Sequence, residues 1–248
     1  MLGVDGPRDV NDPANGLSSL ESKRMLILAS ASPRRQELLR NARIPFVAQA
    51  ADIEERLREG ESPRECAERL AREKALAVAQ ARPEERILGA DTIVVVDGNI
   101  LGKPRDAGDA ECMLRLLSGR DHEVITGVCV VGAVARGQGS GDSGAVARGQ
   151  GAGSNQGGTQ SEAVNEGLAT GNRRLATGSE ITLVTMSEFS DADIREYVAT
   201  GEPMDKAGAY AIQGIASRWI PRIEGDYSNV VGLPVALVYR MLREQGAL

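Results

Sequence analysis

The sequence predicts an α/β fold in which helices flank a mixed β-sheet. Along most of the 248 residues, apolar runs with strand character alternate with segments of helical periodicity. One such run turns back through Asp97-Gly98, a dipeptide typical of hairpins, so some neighbouring strands are antiparallel. Apolar residues make up 42% of the chain and aromatic residues only 3%, so we expect an aliphatic core of substantial size.

The first strand and helix lie in LILASASPRRQELL, residues 26–39. Ser32 suits the N-cap of this helix, and Pro33 suits its first helical position. The capping box Ser62-Pro63-Arg64-Glu65 opens a second helix, which we expect to run to about Ala81.

The remaining elements follow from the same signals of periodicity and turn residues. Up to residue 131 we predict a short strand at 46–48, a strand and hairpin at 87–101, a helix at 107–117 and a strand at 122–131. Further on we predict a strand at 180–188, a helix opened by the residues at 190–193, a strand at 217–223 and a last helix at 234–245.

Two segments have a composition that does not favour a packed core. Residues 1–23 are polar and without periodicity, and we expect a disordered extension there. Residues 133–178 are rich in Gly, Ser, Gln and Asn, and GAVARGQG occurs at 132–139 and again at 144–151. We interpret this stretch as a flexible insertion that interrupts one domain spanning residues 24–248.

Charge and cysteine content exclude several classes of protein. The net charge of −6 argues against a general nucleic-acid surface. The three cysteines, Cys66, Cys112 and Cys129, lack the spacing of a disulfide framework or a zinc site. We find no apolar run of 18 residues and no leader pattern, so we expect a soluble, cytoplasmic protein that does not bind a membrane. A homodimer is left open.

Two cations occupy an unusual position at the first helix. Arg34 and Arg35 fall at its second and third residues, where the helix dipole disfavours positive charge unless an anion is present. With the first-turn amides and the hydroxyls of Ser30 and Ser32, they form a good receptor for a phosphate. The alternative is a pair of solvated surface arginines.

Other charged residues fall within apolar patterns. Lys74 lies on the apolar stripe of the second helix, where it either meets an anion or extends to the surface. Asp91 precedes an apolar run; at the edge of the sheet it could bind Mg²⁺ or accept a proton from water, and the alternative is an ordinary turn residue at the strand entry. Lys103, in LGKP, is a weak signal alone. We expect a structural role for the single histidine, His122.

Several segments together give a more specific signal: LASASPRR, the acidic pair Glu54-Glu55, LAREKA, LGADTIVVVDG, ILGKPRD, MLRLLSGRDHEVITGV, YVATGEPMDKAGAYAIQG and IEGDYSNVVGLP. In this order they resemble the Maf family of nucleotide pyrophosphatases, over about residues 25–131 and 180–246. The resemblance implies two lobes around a cleft, a fold related to inosine triphosphate pyrophosphatases, and hydrolysis of a nucleoside triphosphate to its monophosphate and pyrophosphate.

The resemblance also implies roles for individual residues. Ser30, Arg34 and Arg35 would hold phosphates, and Lys74 and Lys103 would neutralise charge on the triphosphate and the leaving pyrophosphate. Glu55 and Asp91 would bind a divalent cation, Mg²⁺ or Mn²⁺, and orient or deprotonate the attacking water.

Three matches favour the branch of the family that acts on dTTP and UTP, namely Arg34, Thr92 and Gln213. The amide of Gln213 offers a donor and an acceptor, which suit the edge of thymine or uracil. A 7-methyl-GTP pyrophosphatase of the same family and a non-catalytic nucleotide-binding regulator of septum formation remain as alternatives.

Overall fold

The computed structural model describes residues 25–132, 165–169 and 173–248. Its eight-stranded sheet has the order β2-β1-β3-β5-β7-β6, with β4 paired to β3 and β8 paired to β7. The strands are β1 (Leu26–Leu28), β2 (Phe46–Ala48), β3 (Arg86–Val96), β4 (Asn99–Leu101), β5 (Asp121–Val131), β6 (Asn165–Ala169), β7 (Arg173–Thr185) and β8 (Arg222–Glu224). The helices are α1 (Pro33–Asn41), α2 (Pro63–Ala81), α3 (Ala107–Leu117), α4 (Asp191–Ala199), α5 (Tyr227–Val231) and α6 (Val235–Glu244), and three short 3₁₀ segments lie between α4 and β8.

The predicted mixed sheet is confirmed. β1 runs parallel to both β2 and β3. The other pairs are antiparallel, namely β3–β4, β3–β5, β5–β7, β6–β7 and β7–β8. The hairpin between β3 and β4 turns at Asp97 and Gly98, which have φ values of 48° and 77°, as expected for a turn that requires the left-handed region.

A gap on one side of β3 creates the opening for a cleft. β3 pairs with β1 through Arg86–Leu88 and with β4 through Val94–Val96. Between these segments, residues 89–93 pair with β5 on one side, and none of the described strands pairs with them on the other side. The chain leaves β1 at Leu28 and turns directly into α1, so the first turn of α1 lies beside this gap.

Helix α2 packs unusually close to the sheet because two glycines face it. A Cβ atom at Gly89 would lie 2.1 Å from the carbonyl oxygen of Ala71, and one at Gly127 would lie 2.2 Å from that of Ala67. This close approach brings Lys74 of α2 down to the level of β3.

Two apolar clusters stabilise the regions on either side of the cleft. One joins β1, α1 and α6, and its buried members include Leu28, Leu39, Leu237 and Met241. The other joins α3, α4 and the 3₁₀ segments, and its buried members include Val96, Leu114, Ile194 and Tyr197. These clusters correspond to the two lobes that the family resemblance implies.

The predicted insertion at 133–178 is too long at its C-terminal end. Residues 165–169 form β6, and β7 begins at Arg173 rather than near residue 180. The guanidinium of Arg173 is buried and donates hydrogen bonds to the carbonyl oxygens of Gly132, Ala79 and Glu85 at 2.6–3.0 Å. Because the small residues after it continue the pairing with β5, tertiary contacts outweigh their loop-like composition. Residues 133–164, 170–172 and the predicted N-terminal extension lie outside the described residues.

The strand predicted at 217–223 is also wrong in its first half. Residues Ile215–Trp219 form a 3₁₀ helix, and β8 begins only at Arg222. The ring of Trp219 packs against those of Phe189 and Tyr197, at centroid distances of 5.2 and 5.7 Å. The apolar residues of this segment therefore serve the packing between helices and do not reflect the alternation of buried and exposed side chains along a strand.

His122 occupies a buried position, as a structural role requires. Its Nε2 atom lies 2.7 Å from the hydroxyl of Tyr210, and its side chain packs edge-on against the Tyr210 ring. Burial lowers the pKa of His122 to about 4, from an ordinary value of 6.5. The folded protein therefore keeps this imidazole neutral at pH values where the unfolded chain binds a proton.

We expect the protein to lose stability as the pH falls from 6.5 toward 4. Because the pKa of His122 is lower in the folded state, protonation favours the unfolded chain in this range, by about 2 kcal/mol at pH 5. Urea unfolding at pH 7 and pH 5, on the wild type and on His122→Phe, measures this contribution. Equal losses of stability in the two proteins would contradict the expectation.

No helix in the described part of the chain combines the length and apolar character needed to cross a membrane.

Candidate active site

A cleft of about 910 Å³ opens beside the gap on β3 and the first turn of α1. Five basic and three acidic side chains contribute to its walls: Arg34, Arg35, Lys74, Lys103 and Lys206, with Glu55, Asp91 and Asp205. A chain with a net charge of −6 thus carries a local excess of positive charge in this cleft, which favours a polyanionic ligand.

The ammonium group of Lys74 joins two carboxylates. Its Nζ lies 2.5 Å from Oδ1 of Asp91 and 2.6 Å from Oε1 of Glu55. Only 8% of Lys74 and 5% of Asp91 are exposed. Lys74 therefore meets anions in the interior and does not extend to the surface. Asp91 lies within β3, at the gap where the described strands pair with it only on the side of β5, and not in a strand-entry turn.

The two carboxylates differ in their affinity for protons. Burial raises the pKa of Asp91, and the nearby charges of Lys74 and Arg35 only partly oppose this effect. Burial also raises the pKa of Glu55, but the hydrogen bond and charge of Lys74 outweigh it, so that the net pKa is lowered. The pKa of Asp91 therefore lies above the ordinary value of an aspartate, whereas that of Glu55 lies below the ordinary value of a glutamate.

Arg35 is fixed in the floor of the cleft. Its guanidinium donates hydrogen bonds to the carbonyl oxygen of Gly232 at 2.7 Å, to Oγ of Ser30 at 3.2 Å and to Oγ1 of Thr92 at 3.1 Å. The hydroxyl of Thr92 also shares a hydrogen bond with Thr126 at 3.0 Å. Since these acceptors are neutral, the charge of Arg35 remains available to an anion.

Arg34 differs from Arg35 in its surroundings. It is partly exposed, and its Nη1 lies 3.5 Å from Oδ2 of Asp205, which also lines the cleft. No acidic residue lies in the first turn of α1, whose N-cap is Ser32 as predicted. A phosphate that binds here would meet the helix amides and compete with Asp205 for Arg34.

The structure brings the other predicted residues to the same cleft. Lys103 lies 3.7 Å from Glu55, measured from Nζ to Oε2, and its side chain is largely exposed. Gln213 lies on the cleft wall, and its amide has no hydrogen-bond partner within the described ranges.

Lys206 and Asp205 were missed as site residues. The ammonium group of Lys206 hydrogen-bonds to the carbonyl oxygen of Glu202 at 2.8 Å and contacts the carboxylate of Asp205. The signal was present in PMDKAG, where a charged pair stands between Pro203 and a glycine, but this short pattern alone does not distinguish a cleft from an exposed loop.

The donor set of Glu55 and Asp91 fits a hard divalent cation. Both carboxylates approach one point, now held by Lys74. The described residues contain no group of three or more ligating side chains. Mg²⁺ commonly binds through one or two carboxylates together with substrate phosphates and water, so a preformed cage is not required.

The fold and the cleft define an α/β protein that can hold a polyanion beside two carboxylates bridged by a lysine. A family model described as "Maf-like protein" matches residues 25–147 and 158–245. The chain belongs to this family.

Similar proteins with curated names support the assignment of the chain to this family. The chain is 48% identical over 223 residues to a protein of Koribacter versatilis, covering 90% of this chain and 95% of the relative. It is 45% identical over 221 residues to a protein of Symbiobacterium thermophilum, covering 89% and 94% of the two chains. Both relatives are named dTTP/UTP pyrophosphatase.

Proposed function

We propose that this protein is a nucleoside triphosphate pyrophosphatase that hydrolyses dTTP and UTP to the monophosphate and pyrophosphate. The observation that carries the proposal is the ammonium group of Lys74 between the carboxylates of Glu55 and Asp91, in a cleft with an excess of cations. The names of the similar proteins support the same substrates.

Phosphate binding is assigned to the first turn of α1 and the adjacent cations. Ser30, Arg34 and Arg35 would hold the triphosphate at the helix N-terminus. Lys103, which is exposed at the cleft, would neutralise charge on the leaving pyrophosphate. Lys206 also lines the cleft and adds to the same positive field.

Water activation is assigned to Asp91. Its raised pKa makes its ionised form a stronger base than an ordinary aspartate. It would accept a proton from water as the water oxygen bonds to phosphorus and the bridging P–O bond between the α and β phosphates breaks. Lys74 would keep Asp91 and Glu55 in place during this step.

Glu55 and Asp91 would also hold Mg²⁺ or Mn²⁺. A bound cation supplies neutralisation of the phosphate charge and polarisation of a phosphoryl oxygen. A cytoplasmic location is proposed together with this activity, because nucleoside triphosphates are present there.

Base recognition is assigned to Gln213. Its amide can donate to a carbonyl of thymine or uracil and accept from N3–H. Cytosine reverses this edge, with an acceptor at N3 and an amino group at C4, so it would leave these groups mismatched.

Steady-state release of pyrophosphate from a panel of nucleotides tests the proposal. We expect dTTP and UTP to be hydrolysed well with Mg²⁺ or Mn²⁺, and dCTP, ATP and GTP poorly. A preference for 7-methyl-GTP would make the assigned branch wrong while leaving the reaction type intact. No turnover of any nucleotide would favour a binding protein over an enzyme.

Replacing Gln213 by glutamate is expected to lower kcat/KM for dTTP and UTP by about 10- to 100-fold, because one donor is lost and a negative charge is added next to the base. The melting temperature should change little, since Gln213 is exposed. Gln80→Glu makes the same chemical change on an exposed position near the end of α2 and should leave kcat/KM unaltered. Equal activity of the two variants would remove Gln213 from the base site.

A further inference from the structure

One hydrogen-bond network fixes both ends of the loop that carries Gln213. The backbone N–H of Ala211 donates to the hydroxyl of Tyr197 at 3.3 Å, and this hydroxyl donates to Oε1 of Glu202 at 2.8 Å. The backbone N–H of Ile215 donates to the same carboxylate, at 3.0 Å from Oε1. Gln213 stands midway between the two anchored amides.

The network leaves little room for the loop to shift. Only 2% of Tyr197 is exposed, and its ring packs against Trp219. A Cβ atom at Gly214 would lie 2.2 Å from Oε1 of Glu202, so the loop lies directly against this carboxylate. The N–H of Gly214 also donates to the carbonyl oxygen of Ala211 at 3.0 Å, which closes a tight turn around Gln213.

We propose that Tyr197 and Glu202 are positioning residues that set the selectivity for thymine and uracil, because they fix the loop from which Gln213 presents its amide to the base. This inference rests on the proposed function. Neither residue needs to touch the nucleotide, and both act through the backbone of residues 211–215.

A fixed loop favours selectivity because the amide of Gln213 must form two hydrogen bonds with the base at the same time. Both hydrogen bonds form only when the amide is held within about 0.5 Å of its correct position. A looser loop loses bonds to thymine and uracil, whereas cytosine and the purines have no such bonds to lose. Loosening the anchor should therefore reduce the discrimination between bases more than it reduces hydrolysis in general.

Tyr197→Phe tests this directly, because it removes the hydroxyl that accepts from Ala211 and keeps the buried ring. We expect kcat/KM for dTTP to fall about tenfold, mainly through KM, as is usual when one hydrogen bond to a buried group is lost. The value for dCTP should change little, so the ratio of dTTP to dCTP should fall by a similar factor.

Two variants of Glu202 extend the test. Glu202→Gln can keep its carbonyl oxygen at the Oε1 position, where it accepts from both Tyr197 and Ile215, and should retain the wild-type ratio. Glu202→Ala removes both carboxylate oxygens and should lower the ratio of dTTP to dCTP as Tyr197→Phe does. Because Glu202 lies on a partly exposed segment, this variant tests the inference even if Tyr197→Phe does not fold. Tyr239→Phe, at an exposed position on α6, is the matched control and should leave the ratio unchanged.

The outcomes separate this inference from the proposed function. If the wild type shows no preference for dTTP and UTP, both are overturned. If the wild type shows that preference and Tyr197→Phe and Glu202→Ala lower kcat/KM equally for all nucleotides, or lower only the melting temperature, the two residues are merely structural and the inference alone is overturned.

Discussion

Replacing Asp91 by asparagine is expected to lower kcat for dTTP by about 10²-fold or more, the usual scale when a catalytic proton transfer is removed. The change is nearly isosteric, and Lys74 keeps its ion pair with Glu55 at 2.6 Å. The variant should therefore remain folded, and a melting curve recorded beside the kinetics verifies this.

Asp97→Asn is the matched control for this experiment. Asp97 lies in the hairpin that follows the same strand, is exposed and pairs with Arg120 at 2.5 Å. Asparagine tolerates its positive φ of 48°, so wild-type turnover is expected. A well-folded Asp91→Asn protein with kcat close to the wild type would remove Asp91 from the chemical step.

Replacing Lys74 by methionine is the second change with a large expected effect. It removes the cation between Glu55 and Asp91 and leaves two carboxylates near one point, so we expect kcat/KM for dTTP to fall by roughly 10²- to 10³-fold, as when a charge-stabilising donor is lost. Arg72→Met removes a cation from the exposed face of the same helix and should have little effect.

The pH dependence offers a second measurement on the Lys74 variant. The charge of Lys74 lowers the pKa of Asp91 against the effect of burial, so its removal raises this pKa further. Since Asp91 must be ionised to accept a proton, the acidic limb of the kcat/KM profile should move to higher pH. An unchanged profile with nearly normal kcat/KM would show that Lys74 does not act on Asp91.

Capping residues and hydrophobic periodicity in the sequence correctly predicted several helices. The capping box at Ser62 and Glu65 forms as expected, and α3 has the predicted bounds. Helix α5 was missed although Asp226 caps it, because five residues are too few to show a helical period. The start of β7 was missed because pairing with β5 and the buried Arg173, which act over long distances, override its composition.

The site was predictable in its parts but not in its arrangement. A lysine on a buried stripe and an aspartate in an apolar run each indicate a buried charge that needs a partner of opposite charge. In the structure, Lys74 and Asp91 form an ion pair with each other. Periodicity could not indicate Glu55, which lies in a loop without regular structure and came from the family resemblance. Arg34 faces Asp205, 171 positions away, and Arg35 donates to the carbonyl oxygen of Gly232, 197 positions away. The difference between the two arginines is therefore not visible in the local sequence.

The most direct test of the proposed reaction is the identity of its products. The purified 248-residue protein is incubated with dTTP and Mg²⁺, and the products are resolved by ³¹P NMR. Hydrolysis between the α and β phosphates gives dTMP and pyrophosphate in equal amounts, and this is the result we expect. Formation of dTDP and inorganic phosphate, or no consumption of dTTP, would contradict the assignment of this cleft as a pyrophosphatase site.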